Sequence, residues 1–228
     1  KNYKEAQTAF QRIENDPAYK SVVPVYVANI YYMQGQKDKA LSYGEDALKK
    51  NTGKKDASME ELVGHSLFEK GDYAKALPYL ESYVNKSKKV SRETLYELSY
   101  CYYQANNLPK AVEGLKQLSG GSDSLSQNAM YILGDAYLKL GDKANARNAF
   151  SFGATNNVNV SQREVSKFNY AKLSYELGYQ DIAMNEFRKF LDEYPNSTYQ
   201  KEAAEIAAGL LANTNNYREA LNILDKIQ

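Results

Sequence analysis

The chain has 228 residues, with 29 lysines and arginines against 28 aspartates and glutamates, one histidine, one cysteine and no tryptophan. A formal net charge of +1 excludes the clustered basic excess of a nucleic-acid binder, and no stretch is long and apolar enough to span a bilayer. The lone Cys101 rules out an intrachain disulfide and a zinc site built from several cysteines.

Taken from its start, the chain opens with an amphipathic stretch at 2–13, with Tyr3, Ala6 and Phe10 on one face. Residues 22–34 read as a helix with Pro24 in its first turn, where the missing N–H costs nothing. Gly35 ends that helix, and 37–49 reads as its antiparallel partner. The same A-then-B order recurs at 58–70 and 73–85, 92–105 and 108–118, 125–140 and 143–155, 161–177 and 180–193, and 199–214 and 217–227. The stretch 2–13 matches only a B helix. We therefore expect a piece cut from a longer array: a single solenoid over 1–228, with a leading half repeat at 1–18 and repeats at about 21–55, 57–90, 92–124, 125–160, 161–197 and 199–228.

Polar connections separate the units. They include "NTGKKDAS" at 51–58 and "SGGSDSLS" at 119–126. Ser161 is placed to cap one A helix, and Ser197 or Thr198 the last, after Pro195 has stopped the preceding B helix.

A helix-ending Gly or Asn serves as the ruler. It falls at Gly35, Gly71, Asn106, Gly141, Gly178 and Asn215, in steps of 36, 35, 35, 37 and 37 residues. These two residue types most readily take the left-handed conformation that closes a helix. Five residues later comes alanine each time: Ala40, Ala76, Ala111, Ala146, Ala183 and Ala220. A methyl group there lets two helices approach closely. One turn on stand Leu80, Leu115, Phe150, Phe187 and Leu224, with Gly44 as the exception. Four residues before the ruler come Tyr31, Leu67, Tyr102, Tyr137, Ser174 and Leu211, and three further back the small Ala28, Gly64, Ser99, Gly134, Ala171 and Ala208. Spacings of three and four put these on one face. No single pair can bury its apolar face alone, so stacking is required.

Reactive chemistry finds little support. His65 has only Ser66 beside it, and neighbours on a helix point apart. The H-E-x-x-H spacing is absent, as are the glycine-rich phosphate loops, so neither metal nor cofactor is expected. Cys101 lies among tyrosines on an apolar helix and reads as an inert, buried thiol. The 21 tyrosines divide into two groups. Tyr31, Tyr102 and Tyr137 hold packing positions, whereas Tyr96, Tyr100 and Tyr103 share a different face. Rigid aromatic area with a hydroxyl is the combination enriched at binding hot spots.

The spacing of Leu133, Gly134, Tyr137, Gly141, Ala146 and Phe150, with the alanine series and Pro195, resembles the tetratricopeptide repeat family. The resemblance extends over almost all of the chain. It implies an all-α right-handed superhelix of antiparallel helix pairs, non-catalytic, binding a peptide or protein surface in a concave groove lined by A helices. Carried onto this chain, the groove residues are Asn29, Tyr32, His65, Phe68, Tyr96, Tyr100, Tyr103, Tyr131, Asp135, Leu138, Phe168, Lys172 and Tyr175. Residues 187–203 further resemble bacterial cell-envelope repeat proteins, which implies a larger envelope protein at the periplasm or outer-membrane periphery, with a cytoplasmic location as the alternative. The alternative function is a structural spacer array whose binding residues lie elsewhere.

Overall fold

The computed structural model describes residues 2–50 and 57–227. Thirteen α-helices fill the described residues, with no strand among them. In chain order they are α1 Tyr3–Ile13, α2 Val23–Met33, α3 Lys37–Lys50, α4 Ala57–Glu69, α5 Tyr73–Lys86, α6 Arg92–Gln104, α7 Leu108–Lys116, α8 Ser124–Lys139, α9 Lys143–Gly153, α10 Val160–Glu176, α11 Gln180–Glu193, α12 Gln200–Asn213 and α13 Tyr217–Asp225. Each expected A and B segment is a helix. Within the expected linker at 51–58, positions 51–56 lie outside the described residues, and Ala57 and Ser58 already belong to α4.

The helices fall into two compact units, 1–114 and 115–228, which divide within α7. In the first, α2 packs on α3, α3 on α4, α4 on α5 and α5 on α6, with α1 against α2. In the second, α8, α9, α10, α11, α12 and α13 each pack on the next in the same way. Each unit is therefore a solenoid of helix pairs.

The physical cause of the pairing is visible at the turns. Gly35, Gly71, Gly141 and Gly178 have φ of 76–85°, and Asn106 and Asn215 have φ of 58° and 60°. At each of the six, the turn residue and its successor donate N–H groups to carbonyls three and five residues back. Gly141 donates to Leu138 and Asp142 to Tyr137 at 3.0 and 2.9 Å, and Asn106 and Asn107 do the same to Tyr103 and Tyr102. The reversal drops the recurring alanine into the seam. Ala40, Ala76, Ala111, Ala146 and Ala183 are fully buried, and Ala220 nearly so.

Small-against-large packing completes each pair. A Cβ on Gly134 would stand 2.8 Å from the Phe150 ring, and one on Gly64 2.8 Å from Leu80. Gly44, the exception in the large series, is buried where α3 meets α4, and a Cβ there would stand 2.7 Å from Val63. Leu224 departs from its series at 37% exposed, since among the described residues no further helix lies over α13. Ser174, the exception in the tyrosine series, is buried. Its hydroxyl donates to the Tyr170 carbonyl and accepts from Arg147 Nε at 2.8 Å. The Arg147 guanidinium lies 4.8 Å from the Tyr170 ring and 4.4 Å from Tyr179.

Two caps differ from expectation. Asn159, not Ser161, caps α10 by accepting the Gln162 N–H, after Asn156 has turned the chain by accepting from Val158. Before α12, Ser197 accepts from Tyr199, and no side chain caps the helix. Instead the Gln200 amide donates to the carbonyls of Leu191 and Tyr194 and closes the end of α11. Pro24 sits in the first turn of α2 as the sequence predicts.

Candidate functional site

The A helices of the first unit, α2, α4 and α6, bring two expected groove positions, Tyr32 and His65, into one polar ladder with Glu97. Tyr32 closes α2, His65 lies in the middle of α4, and Glu97 lies on α6. The Tyr32 hydroxyl donates to Glu69 Oε2 at 2.8 Å and lies 2.9 Å from His65 Nε2. His65 Nδ1 lies 2.5 Å from Glu97 Oε1. Lys37, at the start of α3, reaches both oxygens of Glu69 at 3.0 Å. Glu97 is buried, whereas the His65 and Glu69 side chains are about one-third exposed, at 36% and 31%.

These contacts set the electrostatics. The hydrogen bond to Glu97 raises the His65 pKa above its ordinary value, against an opposing effect of burial. Burial, then the hydrogen bond to Glu69, pushes the Tyr32 hydroxyl up to about 12. For Glu69, burial works the other way, yet hydrogen bonds from Lys37 and Tyr32 hold its carboxyl below the usual range.

Beside the ladder lies a cluster of rings. Tyr100 is its hub, with centroids 5.7 Å from Phe68, 5.0 Å from Tyr73, 6.0 Å from Tyr96 and 6.1 Å from Tyr103. Phe68 also meets Tyr73 at 5.3 Å and Tyr96 at 6.5 Å, edge to face. All five are half-buried. The rings thus shelter one another and still reach the surface of the A-helix side. Burial pushes the Tyr96 hydroxyl up to about 12. Next to Glu97 on the same helix, Cys101 is buried, and burial followed by the Glu97 charge pushes its thiol up to about 12. It is the inert thiol the sequence suggests.

The second unit treats its expected positions differently. Tyr131 is half-buried, 6.4 Å from Phe150 and edge-on to it. Leu138 packs with it against Ala146, Phe150 and Leu173. Asp135 pairs with Lys139 at 2.9 Å, and Lys172 with Glu202 at 2.7 Å. Tyr175 is exposed at 43%. Phe168 is a correction: at 3% exposed it belongs to the core. It stacks on Tyr199 at 4.3 Å and 16°, and touches Phe187 and Phe190. Tyr199, in the turn before α12, covers the ring from outside, while the Lys172 ammonium rides 5.8 Å from its centroid. In the first unit, Asn29 is exposed and donates to the Val25 carbonyl of its own helix.

Glu69, Glu97, Lys37 and Tyr73 escape the sequence reading, but a signal for them exists. Side-chain partners on adjacent repeats recur 30–33 residues apart: Lys37–Glu69, Lys70–Asp38, His65–Glu97, Thr94–Glu61, Lys143–Glu176 and Lys172–Glu202. That offset is one repeat period less about one helical turn. Scanning for opposite charge at this separation finds the ladder.

For catalysis, the geometry offers no reacting pair at His65. Ser66 is buried and donates to the Leu62 carbonyl of its own helix. Among the described residues no group of three His, Cys, Asp or Glu side chains is set to hold a metal ion. The architecture is that of a helical scaffold.

Comparison with known proteins agrees on the fold. One tetratricopeptide-repeat family model matches residues 67–120, and another matches 128–151 and 166–197. No curated protein matches the chain. Among solved structures, YrrB, a tetratricopeptide-repeat protein with an unusual peptide-binding site, is 15% identical with a TM-score of 0.63, over 82% of this chain and 93% of that one. The C-terminal part of a repeat-containing protein from Cytophaga hutchinsonii is 19% identical with a TM-score of 0.59, over 99% and 89%. A tetratricopeptide-repeat protein from Parabacteroides merdae is 17% identical with a TM-score of 0.53, over 90% and 77%. The chain therefore has the tetratricopeptide-repeat fold.

Proposed function

We propose that the chain is a protein-interaction module that takes a peptide or protein surface on the side formed by its A helices. The observation that carries this is the five-ring cluster around Tyr100. A monomer core has no need to bring Phe68, Tyr73, Tyr96, Tyr100 and Tyr103 to the surface side of α4 and α6, whereas a binding hot spot is made of such rigid, half-desolvated rings. The solved YrrB structure supports the reading by analogy of fold, since that protein carries a peptide-binding site.

The test uses the whole chain as bait, with Tyr100→Ala as the groove variant and Tyr217→Ala, on the exposed surface of α13, as the control. Partners are captured from cell extract, and the affinity of a purified one is measured by calorimetry. Tyr100→Ala should weaken capture by about tenfold or more, as expected for a hot-spot aromatic, while Tyr217→Ala leaves it unchanged. Equal capture by both, with helical content intact, refutes the assigned surface. The close packing of the rings on one another favours a second reading, a spacer array; that reading predicts the same indifference to Tyr100→Ala.

We also propose that the chain belongs to a larger protein of the bacterial envelope, on the strength of the local likeness at 187–203. Fractionation of cells carrying a tagged full-length protein tests this, and recovery in the cytoplasm alone overturns it.

A further inference from the structure

We propose that His65 is a proton-operated latch: as an imidazolium it ties α2, α4 and α6 together, and on losing its proton it releases one of those ties. The argument begins with hydrogen counting. The Tyr32 hydroxyl has one hydrogen, and its geometry gives that hydrogen to Glu69. The hydroxyl oxygen is then an acceptor toward His65 Nε2, which must carry a hydrogen to meet it at 2.9 Å. A carboxylate at Glu97 only accepts, so Nδ1 must carry a hydrogen to meet it. Both ring nitrogens donate only in the charged form.

Charge counting agrees. The groups facing the ring are Tyr32 from α2, Lys37 from α3, Glu69 from α4 itself and Glu97 from α6. Two carboxylates stand against one lysine and the imidazolium, and the set is neutral. Removing the proton leaves a net negative charge beside the buried Glu97. It also removes one hydrogen bond: either Nε2 faces the Tyr32 oxygen with no hydrogen between them, or Tyr32 turns its own hydrogen away from Glu69. In the second case Glu69 keeps Lys37, but the tie from α2 to that carboxylate is lost.

The direction of the pH effect follows. A histidine whose pKa is raised on folding adds stability that is complete below the unfolded value, about 6.5. That stability is lost as pH rises through the higher folded value. The latch is therefore closed in mildly acidic solution and opens as pH rises above the ordinary histidine value. It operates without any ligand, so its success or failure is separate from that of the interaction surface.

The chain has one histidine, so isotope labelling of histidine gives a single imidazole signal to titrate by NMR in the whole protein. The expected midpoint lies above that of free histidine. Glu97→Gln should lower it by about one unit or more, and Tyr32→Phe should lower it less. Thermal midpoints of the wild type should fall as pH rises above about 6.5, and His65→Gln should remove that dependence. Amide exchange in α2, α4 and α6 should quicken over the same interval. A midpoint at or below that of free histidine overturns the proposal, as does an unchanged midpoint in Tyr32→Phe, or an equal pH slope in His65→Gln. Should Glu97→Gln not fold, Tyr32→Phe alone decides, because its change lies at the edge of the ladder.

Discussion

Gly134 and Gly141 are seven residues apart, and different forces require each. Gly141 has φ of 76° and open space where a Cβ would go. Its requirement lies in the backbone alone. Gly134 sits within a helix, and its Cβ would press on the Phe150 ring at 2.8 Å. Its requirement lies in packing. Gly141→Ala should cost about 1–2 kcal/mol, and Gly141→Asn much less, since Asn106 and Asn215 already hold that conformation elsewhere. Gly134→Ala should cost about 1–3 kcal/mol by overpacking, and Gly134→Asn more. Urea unfolding followed by circular dichroism separates the two. If asparagine fails equally at both positions, the distinction is wrong. Ser174 teaches a related lesson. One residue departs from its repeat position, and Arg147 from the neighbouring helix donates to its hydroxyl while lying against the Tyr170 and Tyr179 rings.

At the scale of the element, the helices end more cleanly than their interiors require. Six consecutive A helices close with the same pair of carbonyl contacts, which fixes where each B helix begins. Within α5, by contrast, Pro78 sits in the interior of a 14-residue helix. It cannot donate to the carbonyl four residues back, and its ring crowds that carbonyl. Its side chain is exposed, so packing offers no compensation. Pro78→Ala should therefore raise stability, by up to about 3 kcal/mol, visible as a higher melting temperature. No change, or a loss, would mean that α5 depends on the proline for a bend an ideal helix lacks. The element scale also explains Phe168. Its helical face points where the period says, but the segment around Tyr199 lies over it.

Across the molecule, burial is uneven. No residue of α1 is buried and only Ala220 of α13 is, whereas α4 buries seven residues and α6, α8 and α12 six each. In a stack where each repeat contacts only its neighbours, stability is close to a sum of local terms. Amide exchange should therefore be fastest in α1 and α13 and slowest in α4, α6, α8 and α12. Uniform protection would show that the chain unfolds as one cooperative body and would contradict the local picture. The polar ladder at Tyr32, His65 and Glu97 fits this scheme, because it joins neighbouring repeats only.

The amino-acid order by itself determined the helix pairs, their turns and the buried alanines. Each depends on a short-range cause repeated at a fixed period: a left-handed turn that Gly or Asn takes easily, and a close approach that only a small side chain allows. It also showed that Tyr96, Tyr100 and Tyr103 share a side, since spacing along a helix dictates facing. Only the tertiary structure decided which of the expected groove residues stay accessible and which are covered. Phe168 is buried by a ring 31 residues further along the chain, and His65 meets a carboxylate 32 residues away. Periodicity tells which way a side chain points; what it meets there depends on the neighbouring repeat, and that is settled by packing.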